Sequence, residues 1–176
     1  MQVINEVLPS DPERIAAMQA PGPEGPIVMV NLLRFRDFAL YPDGSEPGLS
    51  GREAYERYGR AVAQLLPKFG GRALFAGDVS FLALGQVEDL WDEVALVRYP
   101  DRKALWDMST SLEWQAISAH RHAGLAGQLN IECTASKGLL SGEESGEEFG
   151  EARGEDSGEK LAEKSGQTGA HPAGEI

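Results

Sequence analysis

His120 is the side chain best suited to acid–base chemistry in this sequence, because an imidazole titrates near neutral pH. It lies within residues 111–122, where the pattern predicts a helix. Glu113 is seven residues earlier, about 10 Å along a helix axis, so the two form no local dyad. His122 diverges from His120 by roughly 200°, so the two cannot jointly chelate a metal. His120 is therefore either a catalytic group or a capping or surface histidine.

Asn31 interrupts the apolar run at residues 27–33, which predicts a buried strand. An amide in such a strand must find hydrogen-bond partners, or it costs about 1–3 kcal/mol. Two roles satisfy it: a structural bond to a neighbouring loop, or contact with a ligand in a cleft between sheet and helices.

Arg98 raises the same question near the end of the alternating segment EVALVRY, residues 93–99. The predicted topology places this strand beside the strand of Asn31. A partly buried guanidinium needs a carboxylate or a ligand anion. Arg98 either forms a salt bridge with Asp101 or Glu93, or anchors an acidic small molecule.

Three aromatic residues complete the candidate site. Tyr55 and Tyr58 lie three apart and share a helix face with Val62. Their rings fit a core position, while a phenol at the start of the helix can donate to a ligand, and Tyr55 is a second candidate catalytic group. Trp91 is either a packing anchor or the wall of an apolar pocket.

Several classes of site have no support in the sequence. It contains no glycine-rich phosphate loop, no GxSxG elbow and no dinucleotide fingerprint. No further cluster of His, Cys and Asp has metal-ligand spacing, so we expect neither metal nor organic cofactor. The single cysteine, Cys133, excludes an internal disulfide framework and lies in an apolar segment where a structural role is expected.

The charge argues against nucleic acid as a partner. The formal net charge of the 176 residues is −12, and no basic stripe is present that could neutralise phosphates. The first residues have neither the basic region nor the apolar stretch of a signal peptide. The longest apolar run is far too short for a membrane span. We therefore expect a cytoplasmic protein.

The predicted elements begin with a helix from Pro12 to about Ala20, whose start is indicated by Ser10, Asp11 and Pro12. A strand at 27–33, a loop at 36–50 and a helix after the capping box Ser50–Glu53 follow. Residues 72–76 and 81–84 are predicted to be two short strands around a turn. Residues 93–99 form a strand, residues 101–122 helices, and residues 128–134 the last strand.

This order predicts a ferredoxin-like α+β domain (βαββαβ) over residues 1–136, with an extra N-terminal helix and both main helices on one sheet face. The strand at 93–99 is apolar on both faces, Val94 and Leu96 on one and Ala95 and Val97 on the other. The uncovered face needs a second layer. A second copy of the chain is the simplest supplier, so we expect a homodimer.

Residues 137–176 form a tail of four-residue blocks such as SGEE, with glycines four apart from Gly138 to Gly158. From residue 138 onward it has 10 acidic and 3 basic side chains, a net charge of −7 out of the total −12. Glycine opposes a helix, and few large apolar residues offset the entropy of ordering, so the composition predicts disorder. Binding-coupled folding is the alternative.

Three blocks, VMVNLLRF (28–35), WDEVALVRYP (91–100) and residues 111–125, resemble the domain-of-unknown-function family thirteen-thirty. That family belongs to the dimeric α/β-barrel superfamily. The chain departs from it at Trp114, where such sequences usually carry tyrosine. The resemblance implies a ferredoxin-like protomer that pairs into a barrel. It implies no reaction: superfamily relatives include monooxygenases, isomerases and decyclising enzymes, and the function expected is small-molecule binding, with or without catalysis, or a non-catalytic dimeric module.

Overall fold

The computed structural model describes residues 3–135, which form a four-stranded antiparallel sheet packed against helices. The tail predicted at residues 137–176 lies outside the described residues. In chain order the elements are α1 (Pro12–Gln19), β1 (Ile27–Phe35), α2 (Gly51–Leu65), a 3₁₀ turn (Leu66–Phe69), β2 (Arg72–Asp78), β3 (Glu93–Tyr99), α3 (Arg102–Thr110), α4 (Leu112–Gly124) and β4 (Leu125–Thr134).

The sheet has the strand order β2-β3-β1-β4, and every pairing is antiparallel. With α2 between β1 and β2, and α3 and α4 between β3 and β4, this is the ferredoxin-like arrangement. The predicted fold class is therefore confirmed, with α1 as the extra N-terminal helix.

The helix starts follow from local capping. Asp11 accepts hydrogen bonds from the first amides of α1, and Asp101 accepts one from Ala104 in α3. Ser50 and Glu53 form the complete predicted capping box of α2. Each side chain satisfies amides that a helix N-terminus leaves without partners, which is why the sequence could place these starts.

The strand predicted at residues 81–84 is wrong. These residues belong to the loop that joins β2 to β3, and the side chains of Phe81 and Leu84 are 78% and 91% exposed. β2 pairs instead with β3, the strand predicted at 93–99. A run of apolar residues becomes a strand only when a neighbouring strand is available for pairing, and this information is not local.

The strand register decides which side chains face the helices. Asn31 pairs with Ala95 of β3 on one side and with Asn130 of β4 on the other. Ile27 and Met29 are buried against α2 and α3, so the alternating side chains of β1 from Ile27 to Leu33 face the helices. Asn31 is the polar member of that row.

The other face of the sheet is apolar and, within residues 3–135, has no helix packed on it. It carries Val28, Val30 and Leu32 of β1 and Val94 and Leu96 of β3. None of these five belongs to a buried core cluster. The prediction that the strands are apolar on both faces is confirmed.

An N-terminal segment, residues 3–9, crosses the edge of the sheet at β4. Glu6 forms an isolated β-bridge with Gln128, and the indole N–H of Trp91 donates to Asn5 Oδ1 at 2.9 Å. The carbonyl oxygen of Val7 accepts from Arg121 Nη1 at 2.8 Å. These bonds hold the segment over the open end of the space between sheet and helices.

Candidate functional site

A cavity of about 470 Å³ lies between the helix face of the sheet and helices α2, α3 and α4. The N-terminal segment closes one side of it through Val7, Leu8 and Pro9. Most of its wall is apolar. The polar side chains come from the sheet and from the helices. The apolar wall includes Met29, Val62, Val97, Leu105, Met108 and Trp114, and the polar side chains include Asn31, Tyr55, Tyr58, Glu93, Arg121 and Gln128.

A chain of hydrogen bonds connects three of the polar side chains. Arg121 Nη2 donates to Gln128 Oε1 at 2.7 Å, and Gln128 Nε2 donates to Asn31 Oδ1 at 2.9 Å. Asn31 Nδ2 donates to the carbonyl oxygens of Ala95, at 3.2 Å, and Met29, at 3.3 Å. The sheet backbone thus orients Asn31, which orients Gln128, which holds the guanidinium of Arg121.

Arg121 is a partly buried positive charge without a negative partner. Within residues 3–135 no carboxylate lies within 4 Å of its guanidinium; its two hydrogen bonds go to the neutral oxygens of Val7 and Gln128. Burial lowers the pKa of Arg121, although an arginine remains protonated at neutral pH. A charge removed from water needs a counter-ion to stabilise it. The guanidinium of Arg121 is open toward the cavity, so a counter-ion can reach it from there.

Tyr55 and Tyr58 stand on α2 with their rings 5.4 Å apart. Trp114 Nε1 donates to the hydroxyl of Tyr58 at 3.2 Å, and the ring of Tyr55 also packs on Phe35. Burial raises the pKa of both phenols above the ordinary value of 10.0. Both are therefore neutral at physiological pH and act as hydroxyl donors.

Glu93 is the acidic residue that lines the same cavity. Burial raises the pKa of its carboxyl group, and the nearby guanidinium of Arg52, with Nη1 at 3.4 Å from Oε2, partly opposes that rise. A raised pKa makes the carboxylate a stronger base. The cavity therefore contains one buried cation, two neutral phenols and one carboxylate.

The sequence and the fold were then compared with known proteins. The family described as Domain of unknown function (DUF1330) matches residues 48–131. The structure of RPA0582, a protein of unknown function from Rhodopseudomonas palustris, is 30% identical; the match covers 77% of this chain and 100% of that one, with a TM-score of 0.68. This chain belongs to the DUF1330 family.

Two further solved structures are similar to this DUF1330 protein. Methylated RPA0582 is 32% identical over 76% of this chain and 96% of that one, with a TM-score of 0.69. A dimeric ferredoxin-like protein of unknown function from Thermobifida fusca YX is 14% identical over 64% and 92% of the two chains, with a TM-score of 0.40. No curated protein matches the sequence.

The cavity of this DUF1330 protein brings together three of the six predicted site residues, Asn31, Tyr55 and Tyr58. Asn31 has structural hydrogen bonds, but with the strands and not with the neighbouring loop expected from sequence. Its amide hydrogens bond the backbone of β1 and β3, and its oxygen accepts from Gln128 of β4. Asn31 is also part of the chain of hydrogen bonds that holds Arg121, and this connects Asn31 to the cavity.

Arg98 does not line the cavity of the DUF1330 domain. It pairs with Val28, whose side chain lies on the face away from the helices. Arg98 makes no salt bridge with either Asp101 or Glu93, the two partners considered from sequence. Asn31 pairs with Ala95, and Arg98 is three residues further along β3, so alternation turns the two side chains to opposite faces.

His120 and Trp91 also lie outside the cavity lining. The Nδ1 atom of His120 is 2.7 Å from the hydroxyl oxygen of Tyr41, in the loop that precedes α2, and the two rings meet edge to face. Trp91 bonds Asn5 and so fixes the N-terminal segment. In the structure both side chains hold loops in place.

Sequence reasoning missed Arg121 and Gln128. A signal for Arg121 was present: it follows Trp114 by seven residues and Ile117 by four, and both of these pack against the core. Residues at such spacing share one helix face, so Arg121 had to point toward the sheet. Gln128 offered a weaker signal, as an amide at the start of a predicted strand.

Among residues 3–135, no three His, Cys, Asp or Glu side chains are grouped so that they could hold a metal ion. Within the same residues, no helix has the length and apolar character needed to cross a membrane.

Proposed function

We propose that the cavity binds a small organic anion, a carboxylic acid with an apolar body, whose carboxylate pairs with Arg121. The observation that supports this is the partly buried guanidinium of Arg121, which lines the cavity and has no carboxylate partner among the described residues. A guanidinium fork matches a carboxylate with two parallel hydrogen bonds.

The size and lining of the cavity suit such a ligand. Its volume of about 470 Å³ falls within the roughly 300–1,000 Å³ typical of small-molecule sites. Met29, Leu105 and Met108 provide an apolar wall for the body of the acid. A single cation at one end orients the molecule, with its carboxylate toward Arg121.

Acid–base chemistry without a cofactor is the reaction type that this lining supports. Glu93 is the base of the cavity, and the hydroxyls of Tyr55 and Tyr58 are its neutral donors. Binding of the acid through Arg121 comes first. For catalysis, the Glu93 carboxylate takes a proton from one carbon atom of the bound acid and returns it to another, so that the protons balance and Glu93 is regenerated.

The test is thermal denaturation in the presence of small acids such as phenylacetate and hexanoate, with the matching amides as neutral controls. A ligand at a hundred times its dissociation constant adds about 2.7 kcal/mol of stability, which raises the melting temperature by several degrees. We expect the acids to stabilise the protein and the amides to have little effect.

The matched variants change two arginines on opposite sides of the sheet, Arg121 on α4 and Arg98 on β3. Arg121→Met removes the anchor and should abolish the response to acids, while Arg98→Met changes an arginine outside the cavity and should keep it. The proposal fails if no acid stabilises the protein, or if Arg121→Met responds as the wild type does.

We also propose that the protein is a homodimer formed by packing of the uncovered sheet faces. The supporting observation is the apolar patch of Val28, Val30, Leu32, Val94 and Leu96, which no helix covers within residues 3–135. Stable interfaces bury about 1,600 Å² in total, and sheets pack face to face at about 10 Å. A dimer that binds none of the acids would favour the alternative role, a non-catalytic dimeric module.

Sedimentation equilibrium tests the dimer. Leu96→Lys places a charge in the centre of the patch and should convert the protein to a folded monomer. Leu112→Lys, at an 80% exposed position on α4, is the control and should leave the dimer intact. A monomeric wild type at micromolar concentration would refute the proposed interface.

A further inference from the structure

The polar end of the cavity has hydrogen-bond donors in excess. The hydroxyl of Tyr58 accepts from Trp114 Nε1, and its own proton has no acceptor among the described residues. The hydroxyl of Tyr55 has no hydrogen-bond partner among residues 3–135. A guanidinium has five N–H donors, and Arg121 uses two of them, on Val7 and Gln128, so three remain.

Three of the acceptors that line the cavity already have donors. Gln128 Oε1 accepts from Arg121, and Asn31 Oδ1 accepts from Gln128. Glu93 is paired with Arg52. Because the pKa of each phenol is raised, both hydroxyls keep their protons and remain hydrogen-bond donors. A carboxylate at Arg121 would engage the guanidinium and leave the two phenols without acceptors.

We infer that the ligand is an oxo acid, with a carbonyl oxygen next to its carboxylate that accepts hydrogen bonds from Tyr55 and Tyr58. This rests on the proposed function, because it takes Arg121 as the carboxylate anchor. The two tyrosines lie three residues apart on α2 with rings 5.4 Å apart, and both line the cavity together with Arg121.

The same arrangement disfavours amino acids. An ammonium group next to the carboxylate would face the guanidinium of Arg121 and two hydroxyl donors, so like charge and unpaired donors oppose it. A methylene at that position would leave the phenols unpaired without repulsion. We therefore expect the affinity to be highest for an acid with a carbonyl at that position, lower with a methylene and lowest with an ammonium group.

Three acids that share one skeleton test this order: phenylpyruvate, 3-phenylpropanoate and phenylalanine. We expect titration calorimetry to show phenylpyruvate binding about tenfold more tightly than phenylpropanoate, because it makes the extra hydrogen bonds, and phenylalanine binding most weakly. Equal affinity for the first two, or tighter binding of phenylalanine, would overturn the inference.

Tyr55→Phe and Tyr58→Phe locate the effect, because each keeps its ring and loses only the hydroxyl. Each should reduce the preference for phenylpyruvate, and the double variant should bring it within about twofold, with the affinity for phenylpropanoate unchanged. Tyr55→Phe alone is sufficient if Tyr58→Phe, which also removes the acceptor of Trp114, unfolds the protein.

The outcomes separate the two proposals. If both phenylpropanoate and phenylpyruvate bind through Arg121 with no preference, the oxo-acid inference is wrong and the carboxylate site stands. If none of the three binds, both proposals are wrong. If the preference persists in Tyr55→Phe and in the double variant, the tyrosines do not recognise the carbonyl oxygen.

Discussion

Arg121 donates to Gln128 at 2.7 Å, so a neutral amide oxygen occupies the position where a buried arginine usually meets a carboxylate. Gln128 is 7% exposed and is itself held by Asn31. The amide orients the guanidinium, and no carboxylate among residues 3–135 compensates its charge. The pair therefore leaves the proposed anion site open in a cavity whose wall is largely apolar.

Gln128→Glu should close that site. The substitution nearly keeps the shape of the side chain and places a carboxylate beside Arg121, so an internal ion pair replaces the ligand. We expect the affinity for carboxylic acids to fall about tenfold or more, while the circular dichroism spectrum is unchanged. Titration calorimetry measures the loss.

Gln128→Met is the control, because it removes both hydrogen bonds of Gln128, the one accepted from Arg121 and the one donated to Asn31, without adding charge. It should weaken binding less than Gln128→Glu does. Equal losses in the two variants would show that the hydrogen-bond chain, rather than the charge of Arg121, controls binding.

His120→Asn should leave acid binding unchanged, although the sequence made this histidine the leading acid–base candidate. Its bond to Tyr41 holds the loop before α2, and one such bond contributes about 0.5–1.5 kcal/mol. We expect urea unfolding to show a loss of that size, and affinity for acids to stay within about twofold. Tyr41→Phe removes the same bond and should give a similar loss, whereas a tenfold fall in affinity would place His120 in the site.

The fold was predictable from sequence because its signals are local. The capping box of Ser50 and Glu53 and the cap by Asp101 need only neighbouring residues. The strand predicted at residues 81–84 failed because strand pairing depends on distant residues.

Only half of the predicted site residues line the cavity, because the register between strands decides which side chains face it. Asn31 and Arg98 lie on adjacent strands. A shift of one residue in the register turns a side chain to the other face of the sheet, and the sequence does not show which residues of the two strands pair. Arg121 could have been predicted from helix spacing alone, because it shares a helix face with Trp114 and Ile117. It was missed because it lies on another face of α4 from His120, the residue that the sequence favoured for chemistry.

His122 should make the stability of the protein depend on pH. Burial and the nearby charge of Arg121 lower the pKa of His122 below its ordinary value of 6.5, and Nε2 is buried with no hydrogen-bond partner among residues 3–135. The unfolded chain therefore takes up the proton first as the pH falls. The contribution of His122 to stability is complete above about pH 6.5 and is lost as the pH falls through the lowered pKa.

Urea unfolding of the wild type and of His122→Phe between pH 7.5 and pH 5 isolates this contribution, because other groups titrate equally in both. Phenylalanine can keep the edge-to-face contact with Trp114. We expect the variant to lose less stability than the wild type as the pH falls. Parallel curves would mean that His122 titrates alike in the folded and unfolded states.

Gly124→Ala should destabilise the fold where α4 meets α2. A Cβ atom at Gly124 would lie 2.4 Å from the carbonyl oxygen of Gly51 and 2.8 Å from the amide nitrogen of Tyr55. Both contacts are with backbone, which cannot rotate away, so the helices must separate. We expect a loss of about 1–3 kcal/mol in urea unfolding, with an unchanged denaturant slope.

Gly59→Ala is the matched control on α2, since a Cβ atom there has no neighbour within 4 Å. It should stabilise the protein by about 0.5–1 kcal/mol, because alanine favours a helix over glycine. The close contact at Gly124 also sets the position of Tyr55, so Gly124→Ala should weaken the preference for phenylpyruvate. Gly59 lines the same cavity, so Gly59→Ala is a control for stability alone. If Gly124→Ala is as stable as the wild type, the two helices are not held in contact at this point, and the position of Tyr55 does not depend on it.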